Sequence, residues 1–318
     1  MRPDIEAYRR RAAEVLGEAY QRGIQARGRL ETRAVNTLIS AAESGRYELV
    51  DPNNYLEEAK DRTFAGESGI IYFGPHYKGF PPDVALVGKV TERIVPLTET
   101  AVFTAKKQMD PDRGRNRFSQ SVHRAEFNVI NRASQELGFT TIPIVQTEDE
   151  AYYLDHMEAI GGMTPRRFSY NAVNVAAEFL LGTIDNPIGG RLLVIAANGT
   201  RDPRAKLERA HSGLEWILKK IRKNGFAMGI ALEPNVRRSV PILGSTKVII
   251  TKLLTWEDVT DKYEALQKAA TVSGQKLGFT RSDLMMVPIA GVLRPSRQGN
   301  FYKDMLLRFP ELADPASW

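Results

Sequence analysis

From residue 69 to residue 289 the chain repeats one alternation: a short apolar, β-rich run, then a longer amphipathic stretch. The apolar runs fall at 69–73, 101–105, 140–145, 191–197, 226–232, 247–251 and 285–289, and helical spacing fills 83–93, 119–137, 169–184, 203–223 and 256–276. Short buried strands separated by helices imply layers built on a parallel sheet. The expected fold is therefore α/β: a mixed, mainly parallel sheet of about seven strands with helices on both faces. Ligand sites in such a sheet lie beyond the carboxyl ends of the strands.

The first 62 residues read differently. Ile5, Tyr8, Ala12, Leu16, Tyr20 and Ile24 recur at threes and fours among many arginines, a second helix is expected over 34–42, and a short one over 55–62 follows the breaker Asp51-Pro-Asn-Asn54. This gives an N-terminal helical cap at 1–62 and an α/β domain at 63–318. The apolar stripe of the first helix suits packing on the core, or peripheral contact with an anionic membrane while its arginines meet headgroups.

Composition narrows the chemistry. There is no cysteine, which removes disulfides, thiolate metal sites and a cysteine nucleophile, and four histidines do not suggest a zinc site. No metal and no resident cofactor are expected. The net charge of +6 suits an anionic partner, namely a phosphorylated metabolite, an anionic lipid surface or nucleic acid. Arg9, Arg10, Arg11, Arg27, Arg29 and Arg33 lack aromatic interleaving and a nucleic-acid motif, so no nucleic acid is expected, and a basic nucleic-acid-binding protein is the weakest alternative. The apolar runs are far shorter than the roughly 20 residues that span a bilayer, and the first residues lack a secretory pattern. A cytoplasmic protein is the expectation, with a peripheral place at the membrane as the second option.

Two segments carry candidate chemistry. In Gly69-Ile-Ile-Tyr-Phe-Gly-Pro-His-Tyr-Lys-Gly-Phe-Pro-Pro-Asp83, a strand delivers His76, and Asp83 stands where Pro81 and Pro82 start a helix. A neutral imidazole accepts a hydroxyl proton, and a carboxylate on its other nitrogen fixes the tautomer. The plainer reading makes Asp83 an N-cap and His76 a loop residue. In the second segment, Leu192-Leu-Val-Ile-Ala-Ala197 runs into Asn198-Gly-Thr-Arg-Asp-Pro203. Asp202 as N-cap, Pro203 at the first helical position and Gly225 past the end predict a helix over 203–223. Backbone amides of 198–200 and the Arg201 guanidinium would then converge on a phosphate, whereas the plainer reading is a turn that uses Gly199.

The order of these blocks resembles the glycerolipid acyltransferase superfamily, which includes glycerol-3-phosphate and lysophosphatidic acid acyltransferases. Pro75-His76 to Asp83 is similar to its histidine and aspartate block, and Ala197-Asn198-Gly199-Thr200-Arg201 to its Pro-Glu-Gly-Thr-Arg-like block. Phe103-Thr-Ala-Lys-Lys107 and Gly138-Phe-Thr-Thr-Ile-Pro-Ile-Val145 resemble two intermediate strands, so the likeness spans residues 65–235.

The resemblance implies acyl transfer from a thioester, acyl-CoA or acyl carrier protein, to a hydroxyl of a glycerol phosphate or lysophospholipid-type acceptor. His76 would take the hydroxyl proton and Asp83 would hold His76. Lys106, Asn198, Gly199, Thr200 and Arg201 would bind the anionic acceptor. Six residues separate His76 from Asp83 where the family has four, Asn198 stands in place of a glutamate, and Gln146 stands about where an arginine is usual. Those departures define the alternative: a catalytically divergent lipid- or acyl-carrier-binding member of the same fold.

Overall fold

The computed structural model describes residues 47–75, 82–110, 138–182, 190–197, 206–222, 225–234, 246–274 and 276–313, together with 120, 124 and 127. Seven strands form one sheet: β1 (Tyr47–Val50), β2 (Ser68–Gly74), β3 (Thr100–Ala105), β4 (Thr140–Ile144), β5 (Leu192–Ala196), β6 (Gly225–Pro234) and β7 (Thr246–Leu254). Their spatial order is β1-β7-β6-β2-β5-β3-β4. Every pairing is parallel except that of β6 with β7. The chain is thus an α/β protein with a mixed, mainly parallel sheet.

The central strands are buried on both sides, which is why they read as unbroken apolar runs rather than as alternation. All seven residues of β2 are buried. Ile70 and Tyr72 join one core layer with Leu193 and Ile195 of β5, while Ile71 and Phe73 join the opposite layer with Leu192 and Val194.

Helices cover both layers. On the Ile71 and Phe73 side lie α1 (Tyr55–Phe64), through Leu56 and Ala59, and α2 (Pro82–Ile94), through Val87, Val90 and Ile94. After α3 (Glu150–Asp155), the Ile70 and Tyr72 side is covered by α4 (Pro165–Leu181), α5 (Gly213–Ile221) and α6 (Trp256–Val272). Three short helices complete that layer: α7 (Arg281–Met285), α8 (Val287–Val292) and α9 (Gly299–Arg308).

The helix ends are written locally. Both Asp51 carboxylate oxygens accept from the first turn of α1, at Tyr55 N (2.9 Å) and Leu56 N (3.0 Å). Thr164 precedes Pro165 at the start of α4, and α4 stops at Gly182, whose φ is +72°. Thr255 with Asp258 and Thr280 with Asp283 form reciprocal capping boxes that start α6 and α7.

Three sequence expectations need correction. The run 285–289 is helix, not strand. The Thr280 to Asp283 box nucleates α7, Pro288 sits in the first turn of α8 where its missing N–H costs nothing, and the apolar run is buried all round. A short apolar run looks the same in a buried helix and a buried strand. The seventh strand is instead β1, an edge strand paired with β7, so residues 47–62, expected within the cap, join the sheet and its covering layer. Residues 1–46 of that cap lie outside the described residues.

The third concerns the helix expected over 203–223, which begins only at Gly213. Residues 206–211 are held out of helix by ties to other elements: Leu207 N donates to Arg297 O (2.8 Å) and His211 N to Ala197 O (3.1 Å). Of the helix expected at 119–137, Gln120, Arg124 and Phe127 are described, each helical.

Candidate active site

The connections around the sheet create one distinctive place. From β2 the chain passes through α2 on the Ile71 face to reach β3, on the far side of β5. From β5 it passes through α5 on the opposite face to reach β6, on the far side of β2. Direction and face reverse together, so both crossovers keep one hand. Beyond the carboxyl ends of β2 and β5 the next described elements, α2 on one side and Leu207 with α5 on the other, lie on opposite faces. That divergence is a topological switch point, the position at which open α/β sheets leave a crevice for ligand.

The two candidate segments leave from these two strands. Phe73 is level with Ala196 in the parallel register, and Ala197 N donates to Phe73 O at 3.2 Å. The chain therefore enters 76 and 198 from neighbouring strand ends on one edge. His76, Asn198, Gly199, Thr200 and Arg201 themselves lie outside the described residues. The backbone of Asp83 is in the first turn of α2, and its side chain is outside the described set. The hydrogen bond expected between His76 and Asp83 is likewise outside it.

Lys106 comes from the third strand at the same edge. β3 pairs with the other side of β5, and Lys106 follows its last residue in a 3-10 turn, Lys106–Met109. The neighbouring Lys107 is committed to structure, with Nζ 3.3 Å from Glu148 and 3.2 Å from Asp149 beyond β4. Lys106 has no ion-pair partner among the described residues, so its charge remains available at the edge. Gln146 follows β4 and precedes the same turn that carries Glu148 and Asp149.

Two features that the sequence reading missed build the wall beside this crevice. The first is the strap 206–211. Leu207 is 1% exposed and packs over the end of β2, so close that a Cβ on Gly74 would lie 2.7 Å from its Cδ1. Two residues on, the Arg209 guanidinium forks onto Asp283 of α7, with Nε 3.1 Å from Oδ1 and Nη2 2.5 Å from Oδ2. Hydrogen bonding to the buried carboxylate holds the guanidinium above its ordinary pKa, so it stays charged. The Thr280-x-x-Asp283 spacing was the visible signal for the buried acid; nothing local marked Arg209 as its partner.

The second feature is the sheet end of β6. Glu233 is 8% exposed, and its Oε1 accepts from the backbone N of Arg294 (3.3 Å) and closely from Arg294 Nε. Beneath both features the Tyr72 hydroxyl donates to Met285 O at 2.7 Å, joining β2 to α7. Full burial pushes the Tyr72 phenol far above its usual range, a hydrogen bond with Thr251 opposing in part. The strap, α7 and β2 are therefore one rigid support for the edge.

Among the described residues no group of three or more His, Asp or Glu is placed to hold a metal ion. No helix among them is long and apolar enough to cross a membrane.

No protein-family model matches the sequence, and no curated protein matches it. Among solved structures, the chain is similar to the crystal structure of the 1-acyl-sn-glycerophosphate (LPA) acyltransferase, PlsC, from Thermotoga maritima. The TM-score is 0.37 at 10% identity, covering 86% of this chain and 96% of that chain. The fold assignment rests on the strand pairing itself.

Proposed function

We propose that this chain is a glycerolipid-type acyltransferase, moving a fatty acyl group from an acyl thioester to a hydroxyl of a glycerol phosphate or lysophospholipid-type acceptor. One observation carries the reading: β2 and β5 end side by side at the switch point, and the sequence continues from them into the His76 block and the Asn198 to Arg201 block. A base and an anion-binding segment on neighbouring strand ends are what hydroxyl acylation requires.

In this mechanism the acceptor's anionic group rests on Arg201, the amides of 198–200 and Lys106. His76 takes the hydroxyl proton as the oxygen attacks the thioester carbonyl, and Asp83 stabilises the imidazolium. The tetrahedral intermediate collapses with the proton passing to the departing thiolate, so ester and thiol are the products. General-base assistance of this kind is worth about 10²–10⁴-fold in rate. No protein thiol takes part, in keeping with the absence of cysteine.

The six-residue gap between His76 and Asp83 and the Asn198 substitution favour a second reading, a divergent member that binds lipid or acyl carrier without transferring the acyl group. Purified protein incubated with acyl-CoA or acyl carrier protein and a panel of glycerol-type acceptors separates the two. Thioester loss matched by acylated product supports the enzyme. Retained lipid without turnover across the panel supports the binding protein.

A further inference from the structure

Beyond the switch point, an open cleft of about 380 Å³ is lined by α6, the segment 276–280 and Arg209. Its volume lies in the range of small-molecule sites. Its charged lining residues are Arg209 and Lys276, both cations, and Gln267 adds an amide. Leu277 and Phe279, both nearly buried, form an apolar wall with Tyr263.

Arg209 is held in place rather than loosely exposed. Nε and Nη2 are spent on Asp283, which is itself 1% exposed, and the guanidinium lies 4.3 Å from the centre of the Phe301 ring. This clamp leaves the Nη1 edge without a hydrogen bond among the described residues. Because Asp283 balances Arg209, the excess charge of the cleft is that of Lys276, which has no ion pair among the described residues. A guanidinium held in place and a second cation lining the same cleft suit a tetrahedral oxyanion. An apolar wall in a space of this size suits a ligand that extends beyond the anion.

We propose that this cleft binds a phosphate ester on an apolar arm, with the phosphate between Arg209 and Lys276 and the arm along Leu277, Phe279 and Tyr263. The proposal stands apart from acyl transfer, and its test needs no turnover. A lysolipid-like phosphate presents such chemistry, whereas phosphopantetheine shares the phosphate ester but carries a hydroxyl and two amides on its arm.

Calorimetric titration of the full chain with octyl phosphate, phosphopantetheine, inorganic phosphate and octyl glucoside tests it. Octyl phosphate binds more tightly than phosphopantetheine, inorganic phosphate or octyl glucoside, at a site separate from the proposed acceptor site. Lys276→Glu, an exposed change that leaves the fold intact, weakens the tighter ligand by at least about tenfold, the scale of one charge-assisted hydrogen bond. In Arg201→Ala, which lacks the guanidinium of the proposed acceptor site, the Lys276-dependent binding remains. Failure of both phosphate esters to bind overturns the proposal. So does equal affinity in Lys276→Glu, or octyl glucoside binding as tightly as octyl phosphate.

Discussion

Separating Arg209 from Asp283 should loosen the strap beside the candidate site by a predictable amount. Asp283 accepts from Thr280 N (2.9 Å), from Thr280 Oγ1 (3.0 Å) and from two nitrogens of Arg209, and it is 1% exposed. Asp283→Ala removes the charge-assisted fork and the carboxylate half of the α7 capping box together, while Thr280 Oγ1 still accepts from the backbone N of residue 283. The Arg209 side chain is 51% exposed, so water recovers part of its stranded charge. The cost is therefore about 3 kcal/mol, at the lower end for breaking a buried pair. Arg209→Ala leaves the 1%-exposed carboxylate with only the Thr280 donors, a loss of about 3–4 kcal/mol. The double variant should cost about 1.5 kcal/mol less than the two singles together, because the fork is lost only once. Urea unfolding at unchanged m measures all three. Additivity within about 0.5 kcal/mol would show that the pair is not coupled and would remove the clamp from the account.

Leu207→Ala, which empties the contact over Gly74, should destabilise by roughly 2–5 kcal/mol in the same unfolding assay. Gly229→Val should cost at least about 1–3 kcal/mol, since even a Cβ would lie 2.5 Å from Thr251 Oγ1 and 2.9 Å from Ile289 Cγ1; an unchanged urea midpoint would contradict the close packing of α8 on β6. Tyr72 and Tyr302 both have phenols raised by burial. Their stabilising contribution is fully present below the unfolded tyrosine pKa of about 10 and is lost as pH rises above it toward the raised folded values. Titration followed by tyrosinate absorbance should show both ionising only as the chain unfolds.

Six of the seven strands were legible because each is a short run dense in aliphatic or β-branched residues, buried on one or both faces. The run at 285–289 has the same apolar density, and only the Thr280 to Asp283 box told helix from strand. β1 was hidden for the opposite reason: Tyr47-Glu-Leu-Val50 is half-exposed at an edge and carries little hydrophobic signal. At 203–223 the local cap signals were sound as chemistry, but tertiary hydrogen bonds at Leu207 and His211 override them and delay the helix to Gly213. The candidate site was legible as two blocks with their preceding strands, since each block follows an apolar run. That the two strands are neighbours depends on the crossovers, and the pairing of Arg209 with Asp283 joins residues 74 positions apart. Neither is written in any local pattern.

The central claim is that the segments leaving β2 and β5 form one acyl-transfer site, and the most direct test compares wild type with His76→Ala and Arg201→Ala. Thioester loss and acylated product are followed over a range of acceptor concentrations. His76→Ala should lower kcat by about 10²-fold or more without a comparable change in acceptor KM, as befits loss of a general base. Arg201→Ala should chiefly raise acceptor KM. Turnover that survives His76→Ala undiminished, or an acceptor KM indifferent to Arg201, would contradict the account.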